Sequence, residues 1–170
     1  MDIFLGTVLD NNERHALKKV FLEKGLTLAV SESLTCGLIQ ATIGTISGAS
    51  NFFIGGATTY WPEAKVKLLH VDPEAVAYNE AVSEKVAVEM ARGICKLFHS
   101  NLGLGTTGFA ELEGERPYAY VAICKDQSEH SGQIVFSERI EGEIGWSRDQ
   151  MRQYVSRQVL LALVDVAKFG

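Results

Sequence analysis

The sequence lacks most of the features that mark metalloproteins, disulfide-stabilised proteins and nucleic-acid-binding proteins. Its cysteines, Cys36, Cys95 and Cys124, are far apart and odd in number. This disfavours a disulfide framework and favours a reducing cytosol. The histidines form no H-E-x-x-H pattern and do not cluster with cysteine, so we expect no metal site. The formal net charge of -5 comes without a Lys/Arg-rich block, which argues against a nucleic-acid surface.

Membrane, export and cofactor signals are also missing. No apolar run reaches the length of a membrane span, and the first residues have neither the basic start nor the length of a signal peptide. We therefore expect a cytoplasmic protein with no membrane partner. The sequence contains no G-x-x-x-x-G-K-[ST] loop, G-x-G-x-x-G fingerprint or G-x-S-x-G elbow, and no cofactor is expected.

Length and periodicity indicate one α/β domain over residues 1–170. With 46% hydrophobic and 22% charged residues, the chain can bury a proper core. Strands are predicted at 27–30, 53–60, 102–106, 118–124 and 134–140, with a hairpin loop at 126–132. Helices are predicted from Asn11 or Asn12, at 35–43 and 63–69, after Ser83, and at 146–169. The alternation of strands and helices predicts a mixed sheet with helices on both faces.

Ser33 lies where a strand-like stretch ends in small and polar residues and a short apolar run follows. This pattern is typical of a strand-to-helix turn, whose unpaired N–H groups can bind an anion or stabilise the oxyanion formed by a nucleophile. The N–H groups from Thr35 to Gly37 are the predicted donors. Turns at 60–65 and 106–108 also follow strands, and the strand ends of an open α/β sheet gather in one crevice.

A serine hydroxyl needs an adjacent base, and the histidines are predicted to lie away from these strand ends. Lys65 is the best alternative, provided that burial or nearby positive charge lowers its pKa and leaves the amine neutral. Tyr60 is expected to relay a proton or orient the substrate, and Thr107 to donate a hydrogen bond to it. A structural interpretation stays open, in which Ser33 caps a helix, Lys65 is solvated and Thr107 forms a turn.

Other polar residues also allow two interpretations. Glu32 is either a base or metal ligand, or a buried carboxylate with a structural hydrogen bond, and strand alternation points it away from Ser33. Arg148 and Arg152, one helical turn apart, either snorkel or form a fork for phosphate or carboxylate. Gly56, in the second predicted strand, permits close backbone approach.

Taken in order, these segments resemble the C-terminal domain of the CinA family. The family patterns A-E-S-C-T-G-G-L and G-G-x-x-x-Y-x-x-x-A-K are matched at residues 31–38 and 55–65. The patterns K-x-x-L-L-G-V, G-A-V-S and T-G-I-A-G-P are matched at 65–71, 80–83 and 107–110. The resemblance covers roughly residues 26–162.

This resemblance implies a three-layer α/β/α fold with a mixed, roughly five-stranded sheet, and a homodimer. It implies hydrolysis of the carboxamide of nicotinamide mononucleotide to the acid and ammonia, without a metal. Ser33 would be the nucleophile and Lys65 its base, with Tyr60 and Thr107 assisting. The residues expected to bind the substrate are Thr35, Gly37, Gly56, Gly108 and, at its phosphate, Arg148.

The sequence departs from the family patterns beside the presumed nucleophile and in one loop. Leu34 and Cys36 replace the family's Cys and the first Gly of its double glycine, and a Cβ at Cys36 would narrow the approach to the helix. Glu111 and Leu112 replace Gly-Pro, and the loop to Pro117 is shorter than usual. Two negative charges ~6 Å apart repel by ~3 kcal/mol at an effective dielectric of 20, so Glu111 would oppose phosphate binding.

These departures keep alternatives open. One is a non-catalytic homologue that binds a nucleotide or a protein partner in the same crevice, and another is an amidase for a different substrate. Longer CinA proteins carry a nucleotide-processing domain before this one, so a stand-alone version of the C-terminal domain is expected.

Overall fold

A computed structural model describes residues 7–127 and 130–169. One sheet has the strand order β2-β1-β3-β4-β5 and is covered by helices on both faces. The strands are β1 (Leu28–Glu32), β2 (Phe53–Thr58), β3 (Leu102–Phe109), β4 (Tyr118–Gln127) and β5 (His130–Glu141). The helices are α1 (Asn11–Lys24), α2 (Leu38–Gly44), α3 (Pro62–Leu69), α4 (Pro73–Ala77), α5 (Glu84–Phe98) and α6 (Arg148–Phe169). The expected three-layer α/β/α arrangement with a mixed five-stranded sheet is confirmed.

The sheet is parallel at one edge and antiparallel at the other. Strand β1 runs parallel to both β2 and β3, whereas β4 is antiparallel to β3 and to β5. Parallel neighbours need crossover connections, which α2 and the helices α3 to α5 supply. The carboxyl ends of β1, β2 and β3 therefore meet at one end of the sheet.

Each face of the sheet has its own apolar core. On the first face, Leu17 of α1, Ile39 of α2 and Val155 of α6 are buried in one cluster with Leu28 and Val30 of β1. Because α1, α2 and α6 share this cluster, they form one outer layer.

On the second face, α5 lies directly on β3. A Cβ at Gly103 would lie 2.2 Å from the carbonyl oxygen of Ala91, and a Cβ at Gly105 would lie 2.4 Å from that of Ala87. Glycine is therefore required at both positions. The two glycines let α5 pack closely against β3, the strand that contains Thr107.

The observed element boundaries differ from the sequence-based ones at several places. Helix α1 is capped by Asp10 rather than by Asn11 or Asn12, because the Asp10 carboxylate accepts the Glu13 N–H at 2.9 Å. Helix α4 was not predicted. Of the predicted hairpin loop, residues 128 and 129 lie outside the described residues, whereas 126–127 and 130–132 belong to β4 and β5.

The described residues contain neither a membrane-spanning helix nor a metal-binding cluster. Across 7–127 and 130–169, no helix combines the length and apolar character that a membrane crossing requires. Within the same ranges, no three His, Cys, Asp or Glu side chains come together as a metal site.

Candidate functional site

Thr59 and Ser33 directly follow β2 and β1 and lie beside Thr107, which is near the carboxyl end of β3, and we call these three residues the hydroxyl row. The last register pairs of the ladder join Glu32 to Thr58 and to Thr106, one residue before each member of the row. The ladder continues past them, because the Ser33 N–H donates to the Thr106 carbonyl at 3.0 Å and the Thr59 N–H donates to the Glu32 carbonyl at 2.8 Å. The three residues are 0%, 7% and 1% exposed, in the order given.

Strand alternation points the hydroxyl row toward the layer of α3 and α5. The residues two positions earlier mark that face. Ala57 packs in the core cluster of α3 and α5, the Ser31 hydroxyl lies 3.2 Å from the Met90 carbonyl of α5, and Gly105 lies against α5. Because side chains of a strand alternate between faces, residues 59, 33 and 107 share this side of the sheet.

Lys65 of α3 contacts the hydroxyl row from the α3 and α5 side of the sheet. Its Nζ lies 3.0 Å from the Ser33 Oγ, 2.8 Å from the Thr59 carbonyl oxygen and 3.2 Å from the Tyr60 carbonyl oxygen. The side chain is 2% exposed, and no carboxylate among the described residues bonds to it. Burial lowers the pKa of Lys65 from its ordinary 10.5 to about 8. The solvated lysine of the alternative interpretation is therefore not what the structure has.

This geometry fits both protonation states of the amine. The ammonium donates all three bonds, to the carbonyls of Thr59 and Tyr60 and to Ser33 Oγ. A neutral lysine has two N–H bonds and one lone pair, which match two carbonyl acceptors and one hydroxyl donor. In that state Lys65 donates to the carbonyls of Thr59 and Tyr60 and accepts the hydroxyl proton of Ser33. In that state the contact would allow the amine to act as a base toward the serine.

The turn after β1 presents backbone N–H groups near Ser33. Within it, the Cys36 N–H donates to the Ser33 carbonyl at 3.1 Å and the Leu38 N–H to the Thr35 carbonyl at 3.1 Å. In the part of the chain that the structure describes, no protein acceptor takes the N–H groups of Leu34, Thr35 and Gly37. These are the candidate oxyanion donors. The chain turns with a φ of 48° at Cys36 and 86° at Gly37.

Glu32 is a structural residue on the opposite face. Its carboxylate accepts the N–H groups of Ile39 at 3.2 Å and Gln40 at 2.9 Å, and the residue is fully buried. Glu32 thus pairs with free N–H groups of the first turn of α2. The structure agrees with the interpretation of Glu32 as a buried carboxylate with a structural hydrogen bond. The N–H groups that remain for an oxyanion lie in the turn before α2.

The first turns of α6 bring two arginines to the site. Arg148 donates to the Tyr60 hydroxyl at 2.9 Å, and Tyr60 is 48% exposed. Arg152 donates to the Thr35 carbonyl from Nε at 3.3 Å and from Nη2 at 3.2 Å. Both arginines therefore form hydrogen bonds within the protein. Arg148 bonds to the Tyr60 hydroxyl, and Arg152 bonds to the turn that follows Ser33.

The Thr107 hydroxyl is already bonded within the protein. It donates to the Ala81 carbonyl at 2.8 Å. Ala81 ends a segment, Asn79–Ala81, in which all three residues have positive φ, between 46° and 64°. Because the hydroxyl proton is used there, Thr107 can offer lone pairs to a substrate but not the proton that the sequence-based expectation assigned to it.

Gly56 and Gly108 are explained by packing. A Cβ at Gly56 would lie 2.3 Å from the Val30 carbonyl oxygen, and one at Gly108 would lie 2.4 Å from the Tyr118 carbonyl oxygen. Both glycines let neighbouring strands approach, which accounts for them without a substrate. Glu111 is exposed just after β3.

Thr59 is the residue that sequence reasoning missed. The second strand was predicted to run to residue 60, which hid the fact that Thr59 stands at the same offset from its strand end as Ser33. Its hydroxyl bonds to no protein group within the described residues, although the residue is fully buried. A hydroxyl-bearing residue directly before Tyr60 was the available signal.

Comparison with known proteins gives the family. The family model of the CinA C-terminal domain matches residues 10–166. A putative competence-damage inducible protein of Moorella thermoacetica is 38% identical over 91% of this chain and 38% of its own length. A CinA-like protein of Geobacter sulfurreducens is 40% identical over 87% of this chain and 36% of its own length. This chain therefore spans well under half of these curated relatives.

Solved structures agree on the fold. A CinA superfamily protein of Klebsiella pneumoniae has a TM-score of 0.83 at 23% identity, covering 97% of this chain and 99% of that one. The competence/damage inducible protein CihA of Agrobacterium tumefaciens has a TM-score of 0.77 at 26% identity, covering 98% and 99%. With nearly the whole described fold and the family model in agreement, the chain belongs to the CinA family through its C-terminal domain.

Proposed function

We propose that the protein is an amidohydrolase that converts the carboxamide of nicotinamide mononucleotide, or of a related nucleotide, to the acid and ammonia. The observation that carries the proposal is the buried contact of 3.0 Å between Lys65 Nζ and Ser33 Oγ. A fully buried lysine without a carboxylate partner is costly unless it is neutral, and a neutral lysine beside a serine is a base.

The reaction begins with acylation of Ser33. Its hydroxyl proton passes to Lys65 while Oγ attacks the carboxamide carbon, and the N–H groups of Leu34, Thr35 and Gly37 bind the resulting oxyanion. Each such donor is worth roughly 3 kcal/mol in the transition state. Collapse breaks the C–N bond, and Lys65 gives its proton to the leaving ammonia.

Hydrolysis of the acyl-Ser33 ester completes the cycle. A water attacks the ester carbon and passes a proton to Lys65, which returns it to the Ser33 oxygen as the acid leaves. Arg148 binds the nucleotide phosphate, a role that suits a planar guanidinium. Its bond to the hydroxyl of the exposed Tyr60 supports this role. Thr107 offers lone pairs to the amide N–H groups.

The experiment is ammonia release from nicotinamide mononucleotide by the purified protein, compared with Ser33→Ala. We expect the variant to fold as the native protein does and to lose activity by at least about 10³-fold. Equal release by the two proteins would contradict the assignment of Ser33.

A second candidate is a non-catalytic homologue that binds a nucleotide in the same crevice. The exposed Glu111 and the Cβ of Cys36, both departures from the family pattern, favour it. It predicts a rise in Tm with nicotinamide mononucleotide and no ammonia release. We also propose that the protein is a cytoplasmic homodimer. Light scattering coupled to gel filtration tests the oligomeric state.

A further inference from the structure

The Thr59 hydroxyl is an unpaired polar group next to the reacting residues. Thr59 is fully buried, and its Oγ1 has no hydrogen-bond partner in residues 7–127 and 130–169. Most buried hydroxyls are paired, because an unpaired one loses its bonds to water without replacement. An exception beside Ser33 and Lys65 calls for a functional explanation.

The other members of the hydroxyl row already have protein partners. Ser33 contacts Lys65, and Thr107 donates to the Ala81 carbonyl. The backbone of Thr59 is held on both sides, since its N–H donates to Glu32 and its carbonyl accepts from Lys65 Nζ. Of the three hydroxyl groups in the row, that of Thr59 alone has no protein partner within the described residues.

The order of proton transfers indicates what that is. Once Ser33 is esterified, it has no proton to donate, and the lone pair of Lys65 that accepted this proton is open to a water. A water attacking the ester must give a proton to this lone pair and needs a second partner to hold its orientation. Thr59 supplies an unpaired hydroxyl on the same face of the sheet, in a residue whose carbonyl accepts from Lys65 Nζ and whose N–H donates to Glu32, the residue before Ser33.

We propose that Thr59 is a positioning residue for the water that hydrolyses acyl-Ser33, an inference that rests on the proposed amidohydrolase function. The step forms a bond between the water oxygen and the acyl carbon and breaks the bond from that carbon to Ser33 Oγ. The water proton goes to Lys65 and then to Ser33. Thr59 gains and loses no bond to carbon.

The test separates the two half-reactions. Acetylation of Ser33 by para-nitrophenyl acetate is followed by the nitrophenolate burst, and the lifetime of acetyl-Ser33 by intact-mass spectrometry. Thr59→Val keeps the shape and removes the hydroxyl. We expect an unchanged burst and an acetyl lifetime longer by roughly 10- to 100-fold, the cost of a misplaced reactant. Thr59→Ser should restore the native lifetime.

Stability gives a readout that a merely structural hydroxyl would not give. Since valine removes an unpaired buried polar group, the Tm of Thr59→Val should rise by about 2–4 °C. Thr58→Val is the matched control, because Thr58 is exposed and alternation points it to the α2 side. It should keep the native lifetime.

Each result decides the matter. A native acetyl lifetime in Thr59→Val, or loss of the burst in a folded Thr59→Val, overturns the inference. Should Thr59→Val not fold, Thr59→Ala takes its place under the same criteria. If the nucleotide releases no ammonia but Thr59→Val still prolongs acetyl-Ser33, the proposed substrate fails and the inference stands. If Ser33 is acylated by neither reagent, both fail.

Discussion

Replacing Lys65 by methionine should change how the stability of the protein depends on pH. Lysine and methionine have similar length, but methionine cannot be protonated. In the native protein the pKa of Lys65 is about 8 when folded and 10.5 in its ordinary, solvated state. Because the folded pKa is depressed, the unfolded chain holds more protons between these two values. The native protein therefore gains stability as pH rises from about 8 toward 10.5.

The size of the effect follows from the two pKa values. At about 1.4 kcal/mol for each pH unit, the full difference is worth about 3.5 kcal/mol, and about 2 kcal/mol of it is gained between pH 7 and pH 9.5. Below about pH 7 the contribution is constant, because the lysine is protonated in both states. Other groups titrate in both proteins and cancel in the comparison.

Urea unfolding of the native protein and Lys65→Met at several pH values measures this difference. The free energy of unfolding of the native protein should rise by about 2 kcal/mol relative to the variant from pH 7 to pH 9.5. Lys67→Met, at an exposed lysine of the same helix, should follow the native curve. If the curves of the native protein and Lys65→Met are parallel, Lys65 is not a buried, depressed lysine, and its role as a base loses its physical reason.

Three further substitutions test the turn around Ser33. Cys36→Gly should stabilise the protein by about 0.5–1 kcal/mol in urea unfolding, since relief of a positive φ exceeds the added entropy of the unfolded chain; destabilisation would contradict this. Glu32→Gln should cost about 2 kcal/mol, because one of the two N–H groups at the start of α2 then faces an amide donor. An unchanged Tm would contradict it. Arg152→Lys should lower kcat about 10-fold with little change in KM, because lysine cannot make both bonds to Thr35. A rise in KM alone would place Arg152 in substrate binding instead.

Much of the fold was predictable because its patterns are local. The helical repeat of α5 and its Ser83 cap are read directly from neighbouring residues, and the Ser83 hydroxyl does accept the Val86 N–H. The capping residue of α1 was misassigned by one or two positions, since Asp and Asn have similar capping propensity and only the Glu13 partner decides.

The site was predictable as a set of residues but not as a network. The motifs give Ser33 and Lys65, yet only the fold shows that the amine touches two carbonyls as well as the hydroxyl. The bond from Thr107 to Ala81 follows a segment with three positive φ values, two of them at Glu80 and Ala81, which local propensity does not favour there. Thr59 was not predicted as a site residue, because the end of a strand cannot be located to one residue from composition.

The arrangement of the hydroxyl row has a consequence for synthesis of the chain. Ser33 and Lys65 are joined across 32 residues, whereas the neighbouring strands β1 and β3 are tied by bonds that span 74, such as that of Thr27 to Asn101. Contacts between distant segments form late, and a ribosome adds residues at roughly 5–20 per second. Ser33 and Lys65 thus leave the ribosome seconds before β3 does. During that interval the Thr106 carbonyl that accepts the Ser33 N–H is missing, so the backbone of Ser33 is held as in the folded protein only once β3 has joined the sheet.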